Sequence, residues 1–167
     1  MKKLLLLRHA RAQHAEIGKT DHERSLAPEG EKAAKHLGRQ LAKQRALPGF
    51  AIFSTAKRAA ETFLCLEKGA ETEIPASGED WLYHATPHDI MQHLKHLPEE
   101  ADSVLIVGHN PALHTLAVEL AGNQPLAASI SSSFPPCTLT VFEFDAKHWH
   151  DVSKKNATFT FLIFPKE

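Results

Sequence analysis

Three short segments concentrate the residue types that can handle an anion. Arg8-His9, Ser54-Thr55-Ala56-Lys57-Arg58 and Gly108-His109-Asn110-Pro111 each follow an apolar run, and none contains an acidic residue. Arginine presents a planar fork that matches the oxygens of a phosphoryl group. A neutral imidazole can attack phosphorus when one ring nitrogen is held as a donor and the other is aimed at the substrate. His9, flanked by Arg8, has the residue type and setting for that role. A plainer account is that Arg8-His9 merely ends a strand in polar residues, but two matching segments elsewhere in the chain weigh against it.

The elements that would position these groups can be read from hydrophobic patterning. Lys3 to Leu7, Phe50 to Phe53 and Val104 to Val107 are short continuous apolar runs, as expected for buried parallel strands. Helical spacing follows over Pro28 to Ala46, Lys57 to Glu67, Pro87 to Leu97 and Pro111 to Leu120, with Asn110 as the expected cap and Gly122 as the stop of the last. Alternating strands and helices predict a three-layer αβα sandwich around a mostly parallel sheet, with ligands at the carboxyl ends of the strands. The helices beginning near Lys57 and Pro111 could add N-terminal dipoles at that rim. Thr138 to Phe144 and Thr158 to Phe164 are two further β-rich runs, at least one of them a candidate for antiparallel pairing. Gln124 to Pro136 reads as a surface loop, and His148-Trp149-His150 as a surface turn. The 167 residues suit one domain, spanning 1–167.

Composition narrows the function classes. Nineteen Lys+Arg against 20 Asp+Glu give a net charge of -1, which argues against a nucleic-acid binder held by a broad basic face. Lys2 and Lys3 ahead of Leu4 to Leu7 imitate a signal peptide, but that run is shorter than the roughly 7 to 15 residues a secretory core needs. No run approaches the roughly 20 residues of a membrane span. Cys65 and Cys137 read as core residues with no CxxC pair, so a cytoplasmic location is expected. Twelve histidines raise the question of metal. His84, His88, His93 and His96 lack a zinc motif, and only His93 and His96 share a helical face. Neither metal nor cofactor is expected.

LRHARA after the first apolar run, FSTAKRAAET some 45 residues later and LIVGHNP ahead of a helix resemble the signatures of the histidine phosphatase superfamily, the phosphoglycerate-mutase-like phosphatases. The short length, Ala10 in place of a usual glycine, LAPEG, WLYHATPHDI and VFEFD are similar to its SixA-type phosphohistidine phosphatase branch. The resemblance covers nearly the whole chain. It implies that His9 is a nucleophile that becomes transiently phosphorylated, that Arg8 and Arg58 grip the phosphoryl oxygens, and that His109 contacts the same group, with Asn110 a further substrate-binding candidate. Larger members carry an acidic proton donor after mid-chain. By the LYHA spacing that position falls near His84, with Glu79 and Asp80 just upstream; alternatively Trp81, Leu82 and Tyr83 pack the pocket wall and His84 is a solvated rim residue.

Two other positions depart from the family pattern. Ala27 stands where a hydroxyl residue often caps the long helix, a loss of about 1 kcal/mol. Ala15 replaces an asparagine found near the phosphate in mutase-type members, a donor that Gln13 or His14 could supply. The expected activity is dephosphorylation of phosphohistidine on a signalling or phosphotransfer protein, without metal. A small-molecule phosphomonoesterase is the alternative, and a non-catalytic phosphate-binding module a third, although a pure binder has no need of a nucleophile.

Overall fold

The computed structural model describes residues 1–165. Six strands form one sheet: β1 (Lys2–Arg8), β2 (Phe50–Ser54), β3 (Ala76–Glu79), β4 (Ser103–Gly108), β5 (Leu139–Phe144) and β6 (Ala157–Ile163), in the order β3-β2-β4-β1-β5-β6. Only β5 runs against the others, pairing antiparallel with both β1 and β6. Because β2, β4 and β1 are adjacent and parallel, Ser54, Gly108 and Arg8 finish on one rim. The mostly parallel αβα sandwich expected from the patterning is what forms.

The continuous apolar runs are explained by two cores. Leu4 and Leu6 face Ile90 and Leu94 of α3 (Pro87–Leu94) and Leu113, Leu116 and Leu120 of α4 (Ala112–Ala121). Leu5 and Leu7 face Leu37 and Leu41 of α1 (Pro28–Lys43) and Phe63 and Leu66 of α2 (Lys57–Ala70). Successive side chains on a strand point to opposite faces, so a strand covered on both sides carries no polar alternation.

α1 begins at Ala27 without a side-chain cap; Pro28 sits in its first turn with Glu29 and Glu31 near the positive end of the dipole. α1 and α2 meet through Gly38 and Gly69. A Cβ on Gly38 would run into the Leu66 carbonyl, and one on Gly69 into that of Lys35. This close approach packs α1 directly against α2, whose first turn carries Arg58.

Several expectations need correction. β3 had no distinct signal, since Ala-Ser-Gly-Glu is short and its burial alternates between exposed and intermediate. Asn110 does not cap α4: Pro111 occupies the cap position, the Asn110–Pro111 peptide is cis, and the Asn110 amide turns to the Phe134 carbonyl. The stretch from Gln124 to Pro136 is more than a surface loop, because it contains the short helix α5 (Ala128–Ser131) and buries Ile130 and Phe134. Trp149 is not in a surface turn. It is fully buried and donates its indole N–H to the Ala101 carbonyl at 2.6 Å, beneath the buried ammonium of Lys2. Lys2 in turn donates to the carbonyls of Glu99 and Ala101 and to Asp102, so a residue that resembled part of a leader anchors the far end of β1.

Replacing Gly38 with alanine should separate the two helices and lower the unfolding free energy by about 1–3 kcal/mol. Urea denaturation would read this directly, and an unchanged midpoint would show that the helices can part without penalty.

Candidate active site

β1 ends at Arg8, and the next residue, His9, is tied to the neighbouring strand by its N–H to the Gly108 carbonyl at 3.0 Å. From behind, Cys137 donates its N–H to the carbonyls of Arg8 and His9, at 3.1 and 3.0 Å. Cys137 reaches both from a φ of +65°, a region that non-glycine residues seldom occupy, and such backbone conformations persist where surrounding contacts enforce them. The Ala10 N–H donates to Thr62 Oγ1, whose hydroxyl donates to the Arg58 carbonyl, so the turn after β1 and the first turn of α2 are stitched together.

The decisive bond is local. His9 Nδ1 lies 2.8 Å from the Ala10 carbonyl oxygen. A carbonyl can only accept, so Nδ1 carries the proton, and in the neutral ring Nε2 is the acceptor nitrogen. His109, at the end of β4, has its ring centroid 5.3 Å from that of His9. Its Nε2 is 2.8 Å from Ser54 Oγ, whose oxygen accepts the Ala56 N–H and whose hydroxyl can donate to Nε2. His109 Nδ1 and Arg8 Nε are buried with no hydrogen-bond partner. Arg8 is otherwise anchored by Nη1 to the Phe134 carbonyl at 3.0 Å. Buried donors without partners are costly, and grouped at one strand-end rim they suit an anion.

Arg58 is 7% exposed. Its Nη1 donates to the Asp21 carbonyl at 2.8 Å and its Nη2 to the Asp21 carboxylate at 2.9 Å. The same carboxylate accepts from Arg24 at 2.9 Å and from the Tyr83 hydroxyl. These donors, the Tyr83 hydroxyl first and then Arg24 and Arg58, hold the Asp21 carboxyl well below the ordinary carboxylate range. Burial and the bond to Asp21 raise the Tyr83 hydroxyl pKa. Burial, assisted by the fields of Arg58, Arg8 and Arg24, pushes the His9 pKa down to about 4, against the opposing bond to Ala10. Burial, with His9 and Arg58 nearby, pushes that of His109 down to about 3. Both imidazoles are therefore neutral at pH 7.

Of the residues singled out in the sequence, Arg8, His9, Arg58 and His109 converge. His84 is exposed on the rim, in a short 3-10 turn over Asp80–His84, with its ring 4.5 Å from that of Tyr83. Asn110 adjoins the site; its amide nitrogen donates one of its two N–H groups to the Phe134 carbonyl at 3.0 Å, and its Oδ1 is buried without a partner. Gln13 donates at 3.3 Å to the Leu26 carbonyl, and His14 is exposed, so neither replaces the missing asparagine at position 15.

Asp21 and Arg24 were not anticipated, and Tyr83 was expected only as part of the pocket wall. Asp21 and Arg24 lie three apart in a polar stretch, and nothing in that spacing shows that the turn folds back over α2. Of the histidines considered for metal, His93 stacks on Trp81 at 3.6 Å and His96 bonds to the Gln92 carbonyl through Nδ1. Among the described residues, no three His, Cys, Asp or Glu side chains are grouped to hold a metal ion.

Comparison with known proteins shows the family and the fold. Residues 4–82 match the family model of the histidine phosphatase superfamily (branch 1), a span that includes Arg8, His9 and Arg58. An uncharacterized protein of Mycobacterium tuberculosis is 32% identical over 152 residues, covering 87% of this chain and 91% of its own. Among solved structures, a protein assigned as phosphohistidine phosphatase SixA from Agrobacterium tumefaciens superposes with a TM-score of 0.84 at 26% identity, over 98% of both chains. The protein histidine phosphatase SixA solved with tungstate shares the fold, with a TM-score of 0.77 at 20% identity over 96% of both chains. With a family match over residues 4–82 and a fold shared with SixA proteins over nearly its whole length, this chain belongs to the histidine phosphatase superfamily, in its SixA-type branch, and is a phosphatase.

Proposed function

We propose that this protein, working as one domain over its 167 residues, removes phosphoryl groups from phosphohistidine on a signalling or phosphotransfer protein, through a phosphorylated His9. The observation that carries the reading is the bond from His9 Nδ1–H to the Ala10 carbonyl, which leaves Nε2 as the nucleophilic nitrogen beside buried, unpartnered donors. Nε2 attacks phosphorus as the bond to the leaving nitrogen breaks. Water then attacks the phosphorylated His9, giving inorganic phosphate and the free imidazole.

Arg8, Arg58 and His109 stabilise the charge on the three equatorial oxygens. Ser54, whose oxygen accepts the Ala56 N–H, can donate its hydroxyl to His109 Nε2. That leaves His109 Nδ1 protonated, a neutral donor toward the phosphoryl group. Asp21 holds Arg58 in place and balances the charges of Arg58 and Arg24. His84, exposed at the mouth, is the proposed proton source for the departing group. The arginines supply the positive field and His109 a neutral N–H, so the reaction requires neither metal nor cofactor. Among the described residues no helix is long and apolar enough to cross a membrane, and the free thiols Cys65 and Cys137 suit a reducing cytoplasm.

The test is a substrate panel run with and without a chelator. Phosphohistidine, free and on a protein, should be hydrolysed faster than phosphomonoesters, with or without chelator, and acid-sensitive phosphoryl label should accumulate on the wild-type chain and vanish in His9→Ala. A preference for phosphomonoesters would defeat the substrate assignment, absence of label with a good substrate would defeat covalent catalysis, and inactivation by the chelator would defeat the metal-free mechanism.

Arg58→Lys retains charge but not the fork that Asp21 orients, and kcat/KM should fall by about a hundredfold or more. Near-full activity would remove Arg58 from the clamp.

His9 must be unprotonated at Nε2 to attack. Its folded pKa of about 4 lies below the ordinary value of 6.5, so the reactive form persists as pH falls through 6.5 and is lost only near 4. The same shift favours the unfolded state as pH drops from about 6.5 toward 4, because the unfolded chain takes up the proton first. Imidazole NMR titration of the free protein should place His9 near 4; a midpoint at the ordinary value would show that the buried, arginine-flanked environment is wrong.

A further inference from the structure

Beside His109 lies a cavity of about 400 Å³, walled by Tyr83, His84 and Pro87 on one side and by Asn110, Ala112 and Thr115 on the other. Two of its features are unused by the phosphoryl clamp. One is the Tyr83 ring. It stacks on His22 at 4.9 Å, stands 5.3 Å from the His109 ring and 4.5 Å from that of His84, and lies 5.8 Å from the Arg58 guanidinium carbon. Its hydroxyl is tied to Asp21, so the plane of the ring is held. The other is Asn110 Oδ1. The Phe134 carbonyl can only accept, which commits Nδ2 to it and leaves Oδ1 as a buried acceptor without a partner.

We infer that this cavity is a subsite for an imidazole leaving group, with Tyr83 as the specificity-determining ring and Asn110 Oδ1 accepting the N–H of the departing ring. The inference rests on the phosphohistidine reading above and adds the residues that would recognise the ring. A phosphorylated imidazole leaves readily once its remote nitrogen is protonated. The P–N bond then breaks, the electron pair returns to the leaving nitrogen, and the product is a neutral imidazole that keeps its remote N–H. The site therefore needs an acceptor for that N–H.

His9 shows the same requirement on the other side of phosphorus. When Nε2 takes the phosphoryl group, Nδ1–H remains bonded to the Ala10 carbonyl at 2.8 Å. Transfer between two imidazoles is chemically near-symmetric, and a carbonyl-type acceptor on each side completes it: Ala10 for the nucleophile, Asn110 for the leaving ring. The aromatic face of Tyr83 adds the second criterion. Its negative quadrupole favours an imidazolium and disfavours the charge developing on an alkoxide. A serine or sugar alcohol offers neither the flat ring nor the remote N–H.

The experiment compares phosphohistidine, phospholysine and phosphoserine peptides on the whole protein. Phospholysine retains the P–N bond without the ring. Tyr83→Leu should lower the phosphohistidine/phospholysine ratio of kcat/KM about tenfold or more, whereas Tyr83→Phe, which loses only the hydroxyl, should retain most of it. If Tyr83→Leu does not fold, Tyr83→Met makes the same comparison.

The unaltered protein provides a second readout. At alkaline pH, where both probes are neutral, imidazole should inhibit phosphohistidine hydrolysis more strongly than 1-methylimidazole, which has no N–H for Asn110. A ratio unchanged in the ring-deleting variants, or equal inhibition by the two probes, would overturn the subsite while leaving the phosphohistidine reading intact. Failure of the wild-type protein to hydrolyse phosphohistidine, with phosphoserine turned over, would overturn both.

Discussion

A buried, neutral imidazole surrounded by guanidinium groups sets the terms for this protein. Arg8, Arg24 and Arg58 all act electrostatically on His9, and burial adds to them in keeping its ring unprotonated. Such a cluster repels itself when no anion is present, and burial intensifies the repulsion. Asp21 offsets much of it by accepting from Arg24 and Arg58 at once, through a carboxylate that is half exposed and needs little desolvation. The turn carrying Asp21 is therefore part of the electrostatic machinery even though it belongs to no strand and to none of the longer helices.

Rigidity beneath the site comes from parallel strands whose ends cannot shift independently. Each of β1, β2 and β4 is covered on both faces, and moving any one of them would disturb two cores. The backbone of His9 is bonded to Gly108 on one side and Cys137 on the other, so its position is inherited from β4 and from the chain entering β5. Catalysis by fixed dipoles depends on donors that need not reorganise, and this scaffold supplies them.

Much of the fold was legible before any coordinates. Leu4 to Leu7 with no polar alternation could only be a strand buried on both faces, and three such runs between helical patterns imply parallel neighbours with a common rim. The failures share a cause: the deciding contact was distant in sequence. β3 is a four-residue edge strand whose pairing with β2 carries the assignment. Trp149 read as surface because its partners, Lys2 and the Ala101 carbonyl, lie about 150 and about 50 residues away. Asn110 looked like a helix cap until the Phe134 carbonyl drew its amide away.

The proposed nucleophile, the proposed clamp and the second histidine were written in the residue types and their positions at strand ends, because a parallel sheet gathers its carboxyl ends whatever the details of packing. The tautomer of His9 is nearly local as well, since its acceptor is the next residue's carbonyl. Only the folded chain decided how that clamp is balanced and what lies beside it. Asp21 meets Arg58 across 37 residues and Tyr83 across 62, and the free Asn110 acceptor exists because a loop 24 residues away takes the other half of its amide. Short-range pattern can place a side chain at an element's end; which groups it then neutralises, stacks on or leaves unpaired is set by long-range packing, where a sequence carries no periodic signal.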